Sequence, residues 1–307
     1  MVPHAAGAPG KNKIIFAVGG LSRSLDFMVT AALPLEDELG DVLEKALRGA
    51  GLTARLLAER AGVDAARIRD AIDYRSDLTC DELRRVAAVL KLNEVGLCAL
   101  GAGCYPRPAI AGLPFVLHAL RMSHGIGVAN AYLVAEAGAT HGLLFDVGAD
   151  FSVLRRAWPP VIEKISAIFL THVETEHTGG LCDAVAAFNA SQAFVPEGAA
   201  VPCTEPLSEG AKRAFGGLEV TAFSTPGHCE AHNCYLVRAS ASSGPALLVS
   251  GDLLFAGSVG GGYFCHRRLL AQLARLLEAV PPDTVVAPGH GPLTTIGNER
   301  QFNPFIV

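Results

Sequence analysis

The 307-residue chain predicts a layered α/β fold preceded by a small all-α unit. Residues 36 to about 100 are charged and carry apolar side chains at helical spacing. From about residue 113 the pattern changes to short apolar runs, each ended by Gly, Asp or His, with helical stretches between some of them. Half the residues are hydrophobic and 18% are charged, which supplies a core and excludes a wholly disordered chain. Thirty-three glycines and 18 prolines without a G-X-Y period exclude collagen and indicate many tight loops. A formal net charge of −5 argues against a chain that meets polyanions over most of its surface. The eight cysteines form no C-x-x-C pair and read as free thiols in a reducing compartment. No apolar stretch reaches the ~20 residues that cross a bilayer. A cytoplasmic protein without a membrane partner is therefore expected.

In chain order, residues 1–35 are Gly/Ala-rich and unassigned. Ile14 to Leu21, after Lys11 and Lys13, can be read as a secretory h-region, an edge strand or a loose terminus, the last two being preferred. In the helical zone, 36–100, Leu39, Val42, Leu43, Ala46 and Leu47 share one face, and Leu83, Val86, Ala87 and Leu90 repeat the pattern. Thr53 is placed to cap a helix through Leu56, Leu57 and Ala61; Gly62 breaks it, and Asp64 caps the next, which holds Ile68 and Ile72. Residues 101–112, beginning Gly-Ala-Gly-Cys-Tyr-Pro-Arg-Pro, read as a linker. In the main unit, 113–307, strands are expected at Ala131–Val134, Leu143–Phe145, Ile165–Leu170, Tyr235–Val237, Leu247–Val249 and Val285–Val286. Helices are expected at Leu181–Phe188 and Leu269–Val280.

The stretch TARLLAERAGVDAARIRDAID, Thr53 to Asp73, resembles a phage-repressor-type helix-turn-helix, which would place the helix after Asp64 in a major groove. The charges oppose that role: residues 36–98 hold 10 Lys/Arg against 13 Asp/Glu, a net of −3. Asp64, Asp70 and Asp73 surround Arg67 and Arg69 on the candidate reading helix. DNA is thus disfavoured as a partner. Self-association into a homo-oligomer, through apolar faces such as Leu39/Leu43 or Leu83/Val86/Leu90, is expected instead.

Chemistry concentrates in the main unit. The strand ending at Leu170 runs into Thr171-His172-Val173-Glu174-Thr175-Glu176-His177-Thr178-Gly179-Gly180, four potential ligands that suit an extended loop. Downstream come Thr225-Pro226-Gly227-His228, Ser250-Gly251-Asp252 and Pro288-Gly289-His290, each placing one His or Asp on a tight turn after an apolar strand. A lone His so placed is usually scaffolding; four His and three carboxylates in this order point to a metal centre.

The ordered set, with Phe145-Asp146-Val147-Gly148 after an early strand, resembles the metallo-β-lactamase superfamily over roughly residues 113–307. The tail His290-Gly-Pro-Leu-Thr-Thr-Ile-Gly-Asn-Glu-Arg, Asn303-Pro-Phe, and the stretches 225–232 and 251–258 look like glyoxalase II-like members. The resemblance implies an αββα sandwich with metals at the sheet edges. It implies one ion on His172, Glu174 and His228, a second on Glu176, His177 and His290, and Asp252 bridging. Asp252 and Glu176 are then the carboxylates nearest the chemistry, and Asp146 and His232 are groups that orient ligands.

Hydrolytic members usually carry H-x-H-x-D-H, whereas this chain has Glu174 and Glu176 at the second and third ligand positions. Glu174 matches the flavodiiron branch and its flavin-free oxygen-binding relatives, which read H-x-E-x-D-H. Hard carboxylate donation favours two ions of iron, with manganese or zinc as alternatives. No flavin is expected. Tyr263, His266 and Arg267, beyond a three-glycine loop expected to be mobile, are substrate-pocket candidates. Two activities follow: binding, reducing or sensing O2, peroxide or nitric oxide, and metal-dependent hydrolysis of an ester, thioester or lactone by a metal-bridging hydroxide. The partner is a small-molecule substrate or a diatomic ligand. Cys229 and Cys234, flanking His228, are weighed as redox-active or as buried inert thiols.

Overall fold

A computed structural model describes residues 33–125 and 127–307, so the Ile14–Leu21 segment lies outside the described residues. Five helices come first: α1 (Leu39–Ala50), α2 (Ala54–Ala61), α3 (Ala65–Ile72), α4 (Cys80–Leu90) and α5 (Glu94–Gly101). Local chemistry sets their ends. Thr53 accepts from the Leu56 amide and Asp64 from those of Ala66 and Arg67, while Thr79 and Glu82 form a reciprocal cap on α4. Gly51 and Gly62 close α1 and α2 in the left-handed conformation.

Sheet one follows: β1 (Val116–His124), β2 (Gly127–Ala135), β3 (His141–Phe145), helix α6 (Phe151–Ala157), β4 (Lys164–Phe169), helices α7 (Thr175–Thr178) and α8 (Leu181–Phe188), β5 (Ala193–Pro196) and β6 (Glu205–Leu207). Sheet two begins with β7 (Lys212–Phe215), β8 (Leu218–Ser224), β9 (Asn233–Ala239) and β10 (Leu247–Gly251). A small hairpin, β11 (Leu254–Phe255) and β12 (Ser258–Val259), precedes α9 (His266–Ala279), β13 (Val285–Pro288), β14 (Thr294–Thr295) and α10 (Ile296–Phe302). Sheet one runs β1-β2-β3-β4-β5-β6; sheet two runs β14-β13-β10-β9-β8-β7.

The period of two decides the layering. On β2, Tyr132 and Val134 face the core between the sheets, and Ala131, Leu133 and Ala135 face the helices. Between the sheets lie Phe145, Phe169, Tyr235, Val249 and Ala287. Leu154 of α6 and Leu181 and Phe188 of α8 cover the outside of sheet one; Leu269, Leu273 and Leu276 of α9 cover sheet two. The result is a helix–sheet–sheet–helix sandwich, a mixed α/β fold as expected. The eight expected strands and helices from Ala131 to Phe188 and from Tyr235 onward fall on observed elements, but β1, with its broken pattern, and the short strands β5 to β7, β11, β12 and β14 escaped the reading.

The five helices join the same core as α9. Leu39, Leu43, Leu83, Val86 and Leu90 are buried within the chain, in one cluster with Leu253, Leu254, Val259 and Phe305. The faces named for self-association are thus covered by the chain's own apolar surface. The segment after α5 is tied down as well, since Tyr105 is buried and donates to Glu299 Oε2 at 2.9 Å. All eight cysteines are free thiols. Among the described residues no helix is long and apolar enough to cross a membrane.

Candidate metal centre

The strand ends converge on one point. His172 lies in the short loop after β4, and Glu174 stands at the N-cap position of the helical turn α7 without a side-chain capping bond, so Thr175–Thr178 is not the extended loop that alternate spacing suggested. A helical turn rotates about 100° per residue, so neighbours in sequence face different ways. His177 therefore turns inward, with its ring 4.3 Å from that of His172, while Glu176 looks to His124, Oε2 to Nε2 3.9 Å. Asp252 follows Gly251, which stands at φ 47° and whose Cβ would lie 2.7 Å from His232 Nε2. His290 follows Gly289, where a Cβ would lie 2.2 Å from Asp252 Oδ1. Glycine before each ligand is thus a requirement of space.

His172, His177 and Asp252 offer donor atoms that all lie within 4.8 Å of one another, and so do His172, Glu174 and His228. His228 Nε2 is 3.0 Å from Glu174 Oε1 and 3.7 Å from Asp252 Oδ2; His290 Nε2 is 3.5 Å from the same Oδ2. Glu176 and His290 stand outside both groups of three, so the second expected trio, Glu176, His177 and His290, is not gathered as such. His172 Nε2, His177 Nε2 and Asp252 Oδ1 are buried without a hydrogen-bond partner. Buried polar atoms are nearly always satisfied, and three orphans aimed into one space are what a bound cation would answer. The donor set fits metal.

Neighbouring groups fix the donors. Asp146 accepts from the Thr171 amide and hydroxyl and lies 3.1 Å from His177 Nδ1, leaving Nε2 for the centre. Burial would discharge His177, but Asp146 and then Asp252 lift its pKa to about 9. Burial, with His177 beside it, holds His172 neutral. His232 accepts the Asp252 amide on Nε2 and donates its Nδ1–H to the Thr225 hydroxyl, and burial pushes its pKa down to about 3. Burial opposes ionisation of Asp252, yet His290, His172, His177 and His228 together keep it well below the usual carboxylate range. Burial pushes the thiols of Cys229 and Cys234 up to about 12, so both stay protonated at neutral pH.

The centre opens into a cleft of about 290 Å³. Glu174, Glu176, His228, Asp252, Tyr263 and His290 line it from the sandwich, and Asp41, Glu44, Lys45 and Arg48 of α1 from the helical segment. Of the three pocket candidates only Tyr263 is there. His266 opens α9 and packs against Gly49 and Phe305, and Arg267 is exposed on that helix. The three glycines are closely packed: a Cβ on Gly260 would sit 1.8 Å from the Asp252 carbonyl oxygen. Glu36 and Lys45, which line the cleft, and His124, which faces Glu176, are groups that the sequence reading missed. His124 closes a strand as the other histidines do, but β1 hides its pattern; Glu36 and Lys45 carry no local signal.

Residues 124–290, more than half of the chain, match the model of the Metallo-beta-lactamase superfamily. An uncharacterised protein of Aquifex aeolicus is 31% identical over 200 residues, covering 57% of this chain and 90% of that protein. The crystal structure of BLEG-1 B3 metallo-beta-lactamase superposes with a TM-score of 0.50 at 26% identity, over 62% of this chain and all of that one. A metallo-beta-lactamase from Staphylococcus aureus shares the fold, with a TM-score of 0.52 at 19% identity over 62% of each chain. The sandwich, the donor residues at its strand ends and these matches agree: the chain belongs to the metallo-beta-lactamase superfamily.

Proposed function

We propose that the protein carries a dinuclear iron centre that binds or reduces O2, peroxide or nitric oxide. One observation carries the reading: where hydrolytic relatives place a histidine, Glu174 puts a carboxylate 3.0 Å from His228 and 3.9 Å from His172. With Asp252 this gives an anionic donor set with two carboxylates, which suits iron or manganese better than zinc. His172, Glu174 and His228 would hold one ion, His177 with His290 the other, and Asp252 would serve both. Bound iron would supply affinity for small diatomic ligands and one-electron chemistry. The chain's own groups supply geometry and charge. Asp146 sets the His177 ring, His232 holds the Asp252 backbone, and burial keeps His172 an available donor.

A hydrolase of esters, thioesters or lactones is the second reading, favoured by the cleft, whose 290 Å³ and charged walls exceed what a diatomic molecule needs. The glyoxalase II-like tail adds no support. Its Glu299 is buried and takes hydrogen bonds from Tyr105, Gly257, Thr294 and Asn303, a role in holding the fold.

Protein from cells grown with both iron and zinc should contain about two irons per chain. It should show an iron charge-transfer spectrum and consume O2, peroxide or nitric oxide with an added reductant. Colourless zinc protein that cleaves thioesters would replace this reading with the second.

The helical segment, on this proposal, serves the cleft and not DNA. Arg67 is clamped to both Glu82 oxygens at 2.8 Å and to the Asp77 carbonyl, and Arg75 pairs with Asp70 and Asp73. With a net charge of −3 over residues 36–98, the segment attracts phosphates weakly.

A further inference from the structure

We propose that Lys45 of α1 is a positioning residue of the metal centre, acting on His228 through the segment Ser258–Gly261; the inference rests on His228 being a ligand. Lys45 reaches across from the helical segment and donates to the Val259 carbonyl at 2.8 Å. Its ammonium also pairs with Asp37, which in turn takes the Ser258 hydroxyl. Both side chains of the pair are largely enclosed, 15% and 8% exposed, and Ser258 and Val259 are buried. A buried ion pair with its remaining valences satisfied holds one geometry, because breaking it strands a charge.

The far side of the same segment touches the donors. The Gly261 carbonyl lies 2.8 Å from His228 Nδ1, so it receives that N–H and leaves Nε2 facing Glu174 and Asp252. Gly260 lies so close to the Asp252 carbonyl that even a methyl group would not fit. The segment is a wedge between α1 and two ligands. Shift its outer edge, and the carbonyl that orients His228 shifts too. Partners that orient a ligating histidine are typically worth 10–100-fold in metal affinity. No local sequence pattern announces this link, since Lys45 and Val259 are 214 residues apart.

Cobalt(II) is the probe, titrated into full-length metal-free protein against a competing chelator while its visible ligand-field band is followed. Lys45→Met should weaken one of the cobalt sites about 10–100-fold and alter the band, and Lys45→Arg, which keeps the charge and the donors, should recover most of the loss. Arg67→Met is the control: it breaks an ion pair in the same helical segment without touching Ser258–Gly261 and should bind cobalt as the parent does. The inference is overturned if Lys45→Met binds cobalt normally, if Lys45→Arg restores nothing, or if Arg67→Met loses as much. Parent protein that takes up no cobalt refutes the ligand assignment itself and this inference with it. Should Lys45→Met fail to fold, Ser258→Ala removes the Asp37 tie alone and must weaken the same site for the inference to stand.

Discussion

Asp146 stands at φ 57°, a conformation that costs energy for any residue with a side chain, and it is buried. Asp146 is the residue whose carboxylate joins Thr171 to His177, which is where a site would need such a backbone. Asparagine tolerates this backbone region and matches aspartate in shape, so Asp146→Asn isolates the charge. The expected result is a protein of near-parent melting temperature whose affinity for the metal nearest His177 falls roughly 10–100-fold. Isothermal titration with the metal measures it, and an unchanged affinity would show that Asp146 does not set that ring.

At the scale of elements, α7 explains why equal spacing along a sequence does not mean equal direction. Glu174, Glu176 and His177 are contiguous with His172, but one helical turn sends Glu176 towards His124 and His177 into the centre. Helix α4 shows the electrostatic side of element formation. Arg67 on α3 grips Glu82, which also caps α4, and that hydrogen-bonded partner holds the Glu82 carboxyl down at about 2. A carboxyl lowered in the folded state stabilises it above its unfolded pKa, and that contribution fades as pH falls towards the folded value. The window is therefore roughly pH 4.5 down to 2. Metal-free Glu82→Gln should melt below the parent at pH 6, and the gap should close as pH drops through that window. A gap that stays constant with pH would mean that the cap, and not the charge, supplies the stability.

Across the whole molecule, the helical segment and the sandwich share one core, and α5 is where the fit is tightest. Asn93 receives nothing loosely here: its amide donates to the Pro304 carbonyl at 2.8 Å and its side chain to Gln301 and Ile306. Gly96, inside α5, faces the Phe302 carbonyl so closely that a Cβ would lie 1.6 Å from the oxygen. In an exposed helix Gly→Ala gains about 1 kcal/mol. Here backbone must move to admit the methyl group, and overpacking of that kind costs roughly 1–3 kcal/mol. Gly96→Ala should therefore lower the melting temperature of the full chain. A rise would show that α5 and the C-terminal strand-and-helix tail are not locked together.

Much was legible in the sequence because it is written in local patterns. Helix caps at Thr53 and Asp64, the apolar run of β2, and apolar runs that end in glycine and a ligand all depend on residues a few positions apart. The identity of the seven candidate donors belongs to that class, since four follow β4 and the other three follow β8, β10 and β13. What local patterns cannot carry is the pairing of distant surfaces. The burial of Leu39 and Leu83 against Leu253 and Phe305, the exclusion of His266 and Arg267 from the cleft, and the reach of Lys45 to Val259 were decided by tertiary packing. An apolar face states only that it must be covered; which surface covers it is settled when the sheets and helices close on one another.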